Sequence, residues 1–192
     1  MRDRVAYIFS HLSTCVNPDN LLDFLALAGR LKAIPRTGWV ESGVVDPESV
    51  ADHSFRTALL AMVLSDSMGL DSCKVMRMAL LHDLAEVETG DVTPKQKKEN
   101  HREIENQAMK TILGGFDDSM RELYWDTWME YQRKETPEAI LVHDADKIEM
   151  VLQAYEYQSI SQNSKLDRFW HAMVSPMNRK IVDKIKKRRD AL

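Results

Sequence analysis

Apolar residues recur along this chain every three or four positions, which is the spacing of amphipathic helices. No segment alternates apolar and polar residues over the length of a strand, so the pattern predicts an all-α fold without a sheet. Capping residues, prolines and glycines divide the chain into predicted helices at about 17–31, 46–68, 71–87, 99–113, 119–134, 137–160, 168–174 and 177–191. Irregular loops are predicted at 33–45 and 89–94, where Pro and Gly interrupt the pattern.

The predicted helix at 71–87 contains a conflict between its apolar surroundings and two polar residues. Its central part, from Val75 to Ala85, is apolar on almost all sides, as in helices that lie in a protein core. His82 and Asp83 nevertheless stand within it. Burial of an unpaired carboxylate costs several kcal/mol, so Asp83 needs a proton, a cationic partner or a metal ion. For this dipeptide alone, a salt bridge explains the pattern about as well as a metal.

Length and charge narrow the classes of protein. A chain of 192 residues predicts one domain that covers 1–192. A net charge of -4 is unfavourable for polymeric nucleic acid, whereas a mononucleotide needs only one or two cations. No apolar run approaches the ~20 residues that span a bilayer, and two isolated cysteines are typical of a reducing compartment. These features predict a cytoplasmic protein that does not bind a membrane.

Two further positions favour a metal site. His53 lies in the predicted helix at 46–68, and Asp146 lies in the long predicted helix at 137–160. Together with His82 and Asp83 they offer two imidazole nitrogens and two carboxylate oxygens from three core helices. This set of ligands suits a divalent ion that keeps open positions for water and substrate.

The order His53, His82-Asp83, Asp146 resembles the H…HD…D signature of the HD-domain phosphohydrolase superfamily. The flanking segments are similar to those of the YfbR-like 5′-deoxynucleotidases and of the HD domain-containing protein 2 family. These segments are Arg36-Thr37-Gly38-Trp39, Glu48-Ser49-Val50-Ala51-Asp52-His53, His82-Asp83-Leu84-Ala85-Glu86, Thr89-Gly90-Asp91 and Ala145-Asp146-Lys147-Ile148-Glu149-Met150. The resemblance implies a single helical bundle, with the metal site spanning about 36–150 and the C-terminal helices completing the bundle.

The resemblance also implies an activity, which is hydrolysis of 2′-deoxynucleoside 5′-monophosphates to a deoxynucleoside and phosphate. It implies one divalent ion, which is Co²⁺, Mn²⁺ or Mg²⁺. It also implies a nucleotide as the small-molecule partner, and a homodimer. Spacing alone leaves Asp144 open as the fourth ligand in place of Asp146, and the resemblance selects Asp146. His143 lies three residues before Asp146, and we interpret it as structural.

Glu86 is the predicted catalytic acid. It follows His82 by four residues and Asp83 by three, so on a continuous helix its carboxyl group would face the same side as these ligands. The resemblance implies that Glu86, with Asp83, serves catalysis, either by protonating the leaving 5′-oxygen or by orienting water. The alternative is a residue that only orients His82.

Three residues are predicted to bind substrate together with Glu86. Arg36 offers a guanidinium fork for phosphate oxygens, and the resemblance implies this contact. The resemblance implies further that Trp39 packs on the sugar and that Asp91 holds its 3′-hydroxyl. The alternatives are a Trp39 that plugs its loop onto the core and an Asp91 that only forms a turn after a glycine.

Two other functions are compatible with the sequence. One is an HD phosphodiesterase that acts on a cyclic nucleotide or an alarmone, although such relatives usually carry additional ligands or domains. The other is a binding module whose metal is purely structural. Glu86, Arg36 and Asp91 argue against the second function, because a closed structural site needs no acid, phosphate-binding cation or sugar acceptor.

Overall fold

Helices make up the regular secondary structure of residues 16–191, which are the residues that the computed structural model describes. In chain order these are α1 (Pro18–Gly29), α2 (Thr37–Glu41), α3 (Val50–Met68), α4 (Ser72–Leu81), α5 (Glu86–Thr89), α6 (His101–Leu113), α7 (Asp118–Arg133), α8 (Pro137–Ile160) and α9 (Arg179–Arg189). Two 3₁₀ helices, Arg30–Ala33 and Ser164–His171, follow α1 and α8. The predicted all-α fold is confirmed. Within 16–191, no helix combines the length and apolarity needed to cross a bilayer.

The long helix α8 lies at the centre of the bundle and contacts α3, α4, α7 and α9. Its start follows from the sequence, since the Thr136 side chain accepts a hydrogen bond from the Ala139 amide and Pro137 occupies the first turn. Eleven of its 24 residues are buried. Most of them are apolar, but Asp144, Asp146 and Glu149 are buried as well, so this helix carries polar groups into the core.

Helix α3 begins at a different cap from the one predicted. Asp46 and Pro47 precede the helix, and Asp46 has a φ of 59°, outside helical conformation. Ser49 is the N-cap, and its side chain and that of Asp52 each accept a hydrogen bond from the other's backbone amide. This reciprocal capping box satisfies two amides at once, and it explains why the helix starts here. The predicted end of the helix, at Gly69 with φ 67°, is confirmed.

The continuous helix predicted at 71–87 is wrong, because the chain turns at the functional dipeptide. Helix α4 ends at Leu81, and α5 begins only at Glu86. Between them, the amides of Leu84 and Glu86 donate to carbonyls three residues earlier, which is the tighter 3₁₀ pattern. Glu86 therefore does not share a regular helix with His82, and the argument from helical spacing does not hold.

The other differences fall in the connections. The predicted loop at 33–45 contains the short helix α2, and a single bridge pairs Pro35 with Ser49. The predicted helix at 168–174 is replaced by the 3₁₀ helix Ser164–His171. The predicted loop at 89–94 is irregular, as expected.

Candidate metal centre and active site

Three segments of the bundle carry the four predicted metal ligands: ligand atoms of His53, His82 and Asp83 lie within 4.8 Å of one another, and Asp146 lies beside His53. His53 comes from α3, His82 and Asp83 follow the end of α4, and Asp146 comes from α8. The Nε2 atom of His53 lies 3.6 Å from Asp83 Oδ2 and 3.4 Å from Asp146 Oδ1. The Nε2 atom of His82 lies 3.1 Å from Asp83 Oδ2. We call these four residues the ligand cluster.

The two imidazole rings are oriented in the same way relative to the ligand cluster. His53 Nδ1 bonds Glu149 Oε2 at 2.5 Å, and His82 Nδ1 bonds the Ala79 carbonyl oxygen at 2.6 Å. In the neutral tautomer that carries its proton on Nδ1, each ring offers the lone pair of Nε2 to a metal ion. Both Nε2 atoms are buried and have no hydrogen-bond partner among the described residues. Two such nitrogens beside two carboxylates fit a divalent metal ion.

Arg36 lies beside the ligand cluster. Its Nη1 donates to Asp83 Oδ2 and to Asp91 Oδ1, both at 3.1 Å. Burial lowers the pKa of Arg36, but these two carboxylates outweigh that effect and hold it above its usual range. Burial raises the pKa of Asp83, but the His82 and Arg36 side chains bring it below its usual range. Within 16–191 the side-chain hydrogen bonds of Arg36 all use Nη1, which leaves its other N–H groups for a ligand.

Glu86 contributes a neutral acid to the same place. Its Oε2 is buried without a hydrogen-bond partner among the described residues. Burial, followed by the negative charges of Asp83 and Asp91, raises the pKa of Glu86 to about 10. The carboxyl group is therefore protonated at neutral pH. A carboxylic acid held neutral in this way is suited to donate a proton to a leaving group.

The raised pKa of Glu86 predicts a measurable effect of pH on stability. Between its ordinary value of 4.5 and about 10, the folded protein keeps a proton that the unfolded chain releases. Stability therefore falls as pH rises through this window. We expect Glu86→Gln to melt at a higher temperature than the parent protein at pH 8 in EDTA, and to lose this advantage near pH 4. Circular dichroism melts check both, and a lower melting temperature at pH 8 would contradict the assignment.

Lys147 is a further charged residue at this site, and the sequence analysis missed it. Its Nζ lies 3.0 Å from Asp146 Oδ2, whereas the other oxygen of that carboxylate faces His53. The negative charge of Asp146 raises the pKa of Lys147. The available signal was its position directly after a predicted ligand. The ligand cluster thus has two neighbouring cations, Lys147 and Arg36.

Comparisons with known proteins agree with this geometry. The family model described as HD domain matches residues 28–189. The chain belongs to the HD-domain family. It is similar to two proteins named 5'-deoxynucleotidase HDDC2. The relative from Danio rerio is 43% identical, and the match covers 74% of this chain and 72% of the relative. The relative from Homo sapiens is 40% identical, and the match covers 83% of this chain and 79% of the relative. A solved structure described as a conserved hypothetical protein from Pyrococcus furiosus superposes with a TM-score of 0.75 and 37% identity, covering 86% of this chain and 99% of that one.

The side chain of Trp39 is buried in the core of the HD domain. It is 2% exposed, and its indole N–H donates to Glu48 Oε1 at 2.9 Å. Its ring packs against Tyr157 and Phe169. This position fits the alternative that Trp39 plugs its loop onto the core, and it lends no support to the predicted sugar contact, which stays a prediction.

Asp91 fixes the loop that carries Arg36. One of its oxygens accepts from Arg36 Nη1, and the other accepts from the Thr37 amide at 2.5 Å. The Thr37 hydroxyl in turn donates to the Asp91 carbonyl oxygen at 2.6 Å. Asp91 is therefore more than a turn-forming residue, because it holds the guanidinium of the HD site in place. Its predicted contact with the 3′-hydroxyl stays a prediction.

The two other polar candidates on α8 lie away from the ligand cluster of the HD domain. Asp144 accepts hydrogen bonds from the Ser175 amide and from Asn178 Nδ2, both at 2.8 Å. It thereby attaches the segment before α9 to the centre of the bundle. His143 stacks on Tyr131 and bonds the carbonyl oxygen of that residue at 2.9 Å. Because Asp144 bonds other groups, Asp146 stays the fourth ligand that the family resemblance implies. The contacts of His143 agree with its interpretation as a structural residue.

Proposed function

We propose that this protein is a metal-dependent 5′-deoxynucleotidase, which hydrolyses 2′-deoxynucleoside 5′-monophosphates to deoxynucleosides and phosphate. The observation that carries the proposal is the pair of buried Nε2 atoms of His53 and His82, which have no hydrogen-bond partner among the described residues. They face two carboxylates, and a neutral acid and two cations surround them. The names of the HDDC2 relatives support the choice of substrate class.

One divalent ion is the proposed cofactor, held by His53, His82, Asp83 and Asp146. Imidazole nitrogens suit a borderline transition metal such as Co²⁺, and the carboxylate oxygens also suit Mn²⁺ and Mg²⁺, the two other candidates. When bound, such an ion polarises a phosphoryl oxygen and makes a neighbouring water a stronger nucleophile.

The protein's own side chains divide the remaining work. Arg36 binds the phosphate through the N–H groups that its carboxylate partners leave free, and Lys147 adds a second positive charge beside it. Asp83 is ionised, so it serves both as a ligand and as the anchor that aims Arg36. Glu86 donates its proton to the 5′-oxygen as the bond from phosphorus to that oxygen breaks. The deoxynucleoside then leaves as a neutral alcohol.

The proposal extends to the sugar and to the assembly. Asp91 would accept a hydrogen bond from the 3′-hydroxyl, and Trp39 would support the loop that carries Arg36. A homodimer is proposed from the family resemblance, and a cytoplasmic location is proposed from the two isolated cysteines.

Phosphate release tests the proposal. The substrates are dAMP, dTMP, AMP and 3′-AMP, each with EDTA or with added Co²⁺, Mn²⁺ or Mg²⁺. We expect release from the 5′-deoxynucleotides with metal, less from AMP, and none from 3′-AMP or in EDTA, because the ligand cluster has to be filled. Equal release in EDTA would contradict the metal site. Hydrolysis of a cyclic nucleotide but of no monophosphate would favour the phosphodiesterase, and metal binding without any hydrolysis would favour the binding module.

A further inference from the structure

A chain of ionic contacts begins at the second nitrogen of the buried His53 ring. Glu149 is 1% exposed, and its Oε2 bonds His53 Nδ1 at 2.5 Å. Its Oε1 accepts from Arg56 at 2.8 Å through Nε and lies 2.7 Å from Nη2. The remaining donors of Arg56 bond Gln153 and Glu156. A fully buried carboxylate is thus placed between a predicted metal ligand and a guanidinium.

We propose that Glu149, held in place by Arg56, is a positioning residue that prepares His53 for metal binding. The proposal rests on the metal site proposed above. The carboxylate keeps the proton of His53 on Nδ1, so the Nε2 lone pair points into the ligand cluster. Its negative charge also makes the imidazole a stronger ligand for a cation, as carboxylate partners of metal-binding histidines do.

The two histidines of the ligand cluster differ in how they are supported. His82 bonds a backbone carbonyl oxygen, that of Ala79, which no side-chain substitution removes. His53 depends on the side chain of Glu149, and Glu149 depends on Arg56, because a buried carboxylate without a cationic partner is strongly unfavourable. The support of one metal ligand can therefore be altered by mutation while all four ligands remain.

A second metal ion is the competing explanation for this group of acidic residues. Potential ligand atoms of Glu48, His53 and Glu149 lie within 4.8 Å of one another. However, His53 Nδ1 already bonds Glu149, and the other Glu149 oxygen already accepts from Arg56. Glu48 Oε1 accepts from the Trp39 indole. Because these atoms have partners within the protein, the geometry favours a supporting role over a second ion.

Calorimetric titration of the metal-stripped protein with Co²⁺, without substrate, tests the proposal. Glu149→Gln keeps the size of the side chain but removes the charge, and we expect a Co²⁺ affinity about 10- to 100-fold weaker. The visible absorption bands of bound Co²⁺ should change as well, since they report the geometry around the ion. Glu156→Gln is the matched control. It removes the charge of a half-buried partner of Arg56 without changing Glu149, and should bind Co²⁺ like the parent protein.

Unchanged Co²⁺ affinity and an unchanged spectrum in folded Glu149→Gln would overturn the proposal. If circular dichroism shows that this variant does not fold, the double variant Glu149→Gln with Arg56→Met takes its place, because it leaves no buried charge unpaired. The same loss of affinity is expected there, and affinity equal to that of the parent would overturn the proposal. His53→Ala is the reference variant, and it should not bind Co²⁺. If the parent protein also fails to bind Co²⁺, both the metal site and this inference are overturned.

Discussion

Replacing Glu86 with Gln is expected to lower kcat by about 10²- to 10⁴-fold, which is the contribution typical of a positioned general acid. Gln has nearly the same shape, but it cannot give up a proton to the departing 5′-oxygen. The affinity for Co²⁺ should stay close to that of the parent protein, since Glu86 is outside the ligand cluster. Phosphate release from dAMP at saturating Co²⁺, combined with Co²⁺ titration, measures the two quantities separately.

Glu88→Gln is the matched control for this experiment. Glu88 lies two residues further along α5, and its partner is the exposed side chain of Arg30. The control should keep its activity because it makes the same change from Glu to Gln outside the site. If Glu86→Gln keeps its kcat, the residue is not the acid. If Co²⁺ affinity falls in step with kcat, the alternative that Glu86 orients His82 gains support.

The sequence predicts part of the ligand cluster because Asp83 conflicts with its apolar surroundings, and a carboxylate there has few explanations. His53 and Asp146 add potential ligands on two other helices, but only the family resemblance selects Asp146 over Asp144. The turn after Leu81 could not be predicted in this way, since no Gly or Pro marks it. The shift to 3₁₀ hydrogen bonds there appears only in the folded chain.

The residues whose roles the sequence left open depend on distant partners. Glu149 is an ordinary acidic residue in the sequence, and its role emerges from partners 96 and 93 residues away, His53 and Arg56. Trp39 is likewise buried by aromatic rings more than a hundred positions along the chain. Lys147 was missed for a different reason, because a lysine beside an aspartate on a helix usually forms only a solvated pair.

Asp146→Ala is expected to lose metal binding and Asp144→Ala to lose stability, although the residues lie two positions apart on α8. Asp146→Ala removes an oxygen ligand beside His53, so Co²⁺ binding and Co²⁺-dependent phosphate release should be lost while the protein still folds. Asp144→Ala leaves the ligand cluster intact, but it deprives the Ser175 amide and the Asn178 side chain of their acceptor. We expect it to lower the free energy of unfolding by about 1–3 kcal/mol, with little change in Co²⁺ affinity or in kcat.

Urea denaturation and Co²⁺ titration of both variants separate the two roles. If Asp144→Ala loses Co²⁺ binding while Asp146→Ala keeps it, the fourth ligand is the other aspartate and the assignment is wrong. If both variants lose stability and keep their metal, two carboxylates on α8 serve only the packing of the bundle. Loss of metal binding confined to Asp146→Ala would show that two faces of one helix have different roles. One face would then hold the ion, and the other would hold the C-terminal segment that closes the bundle.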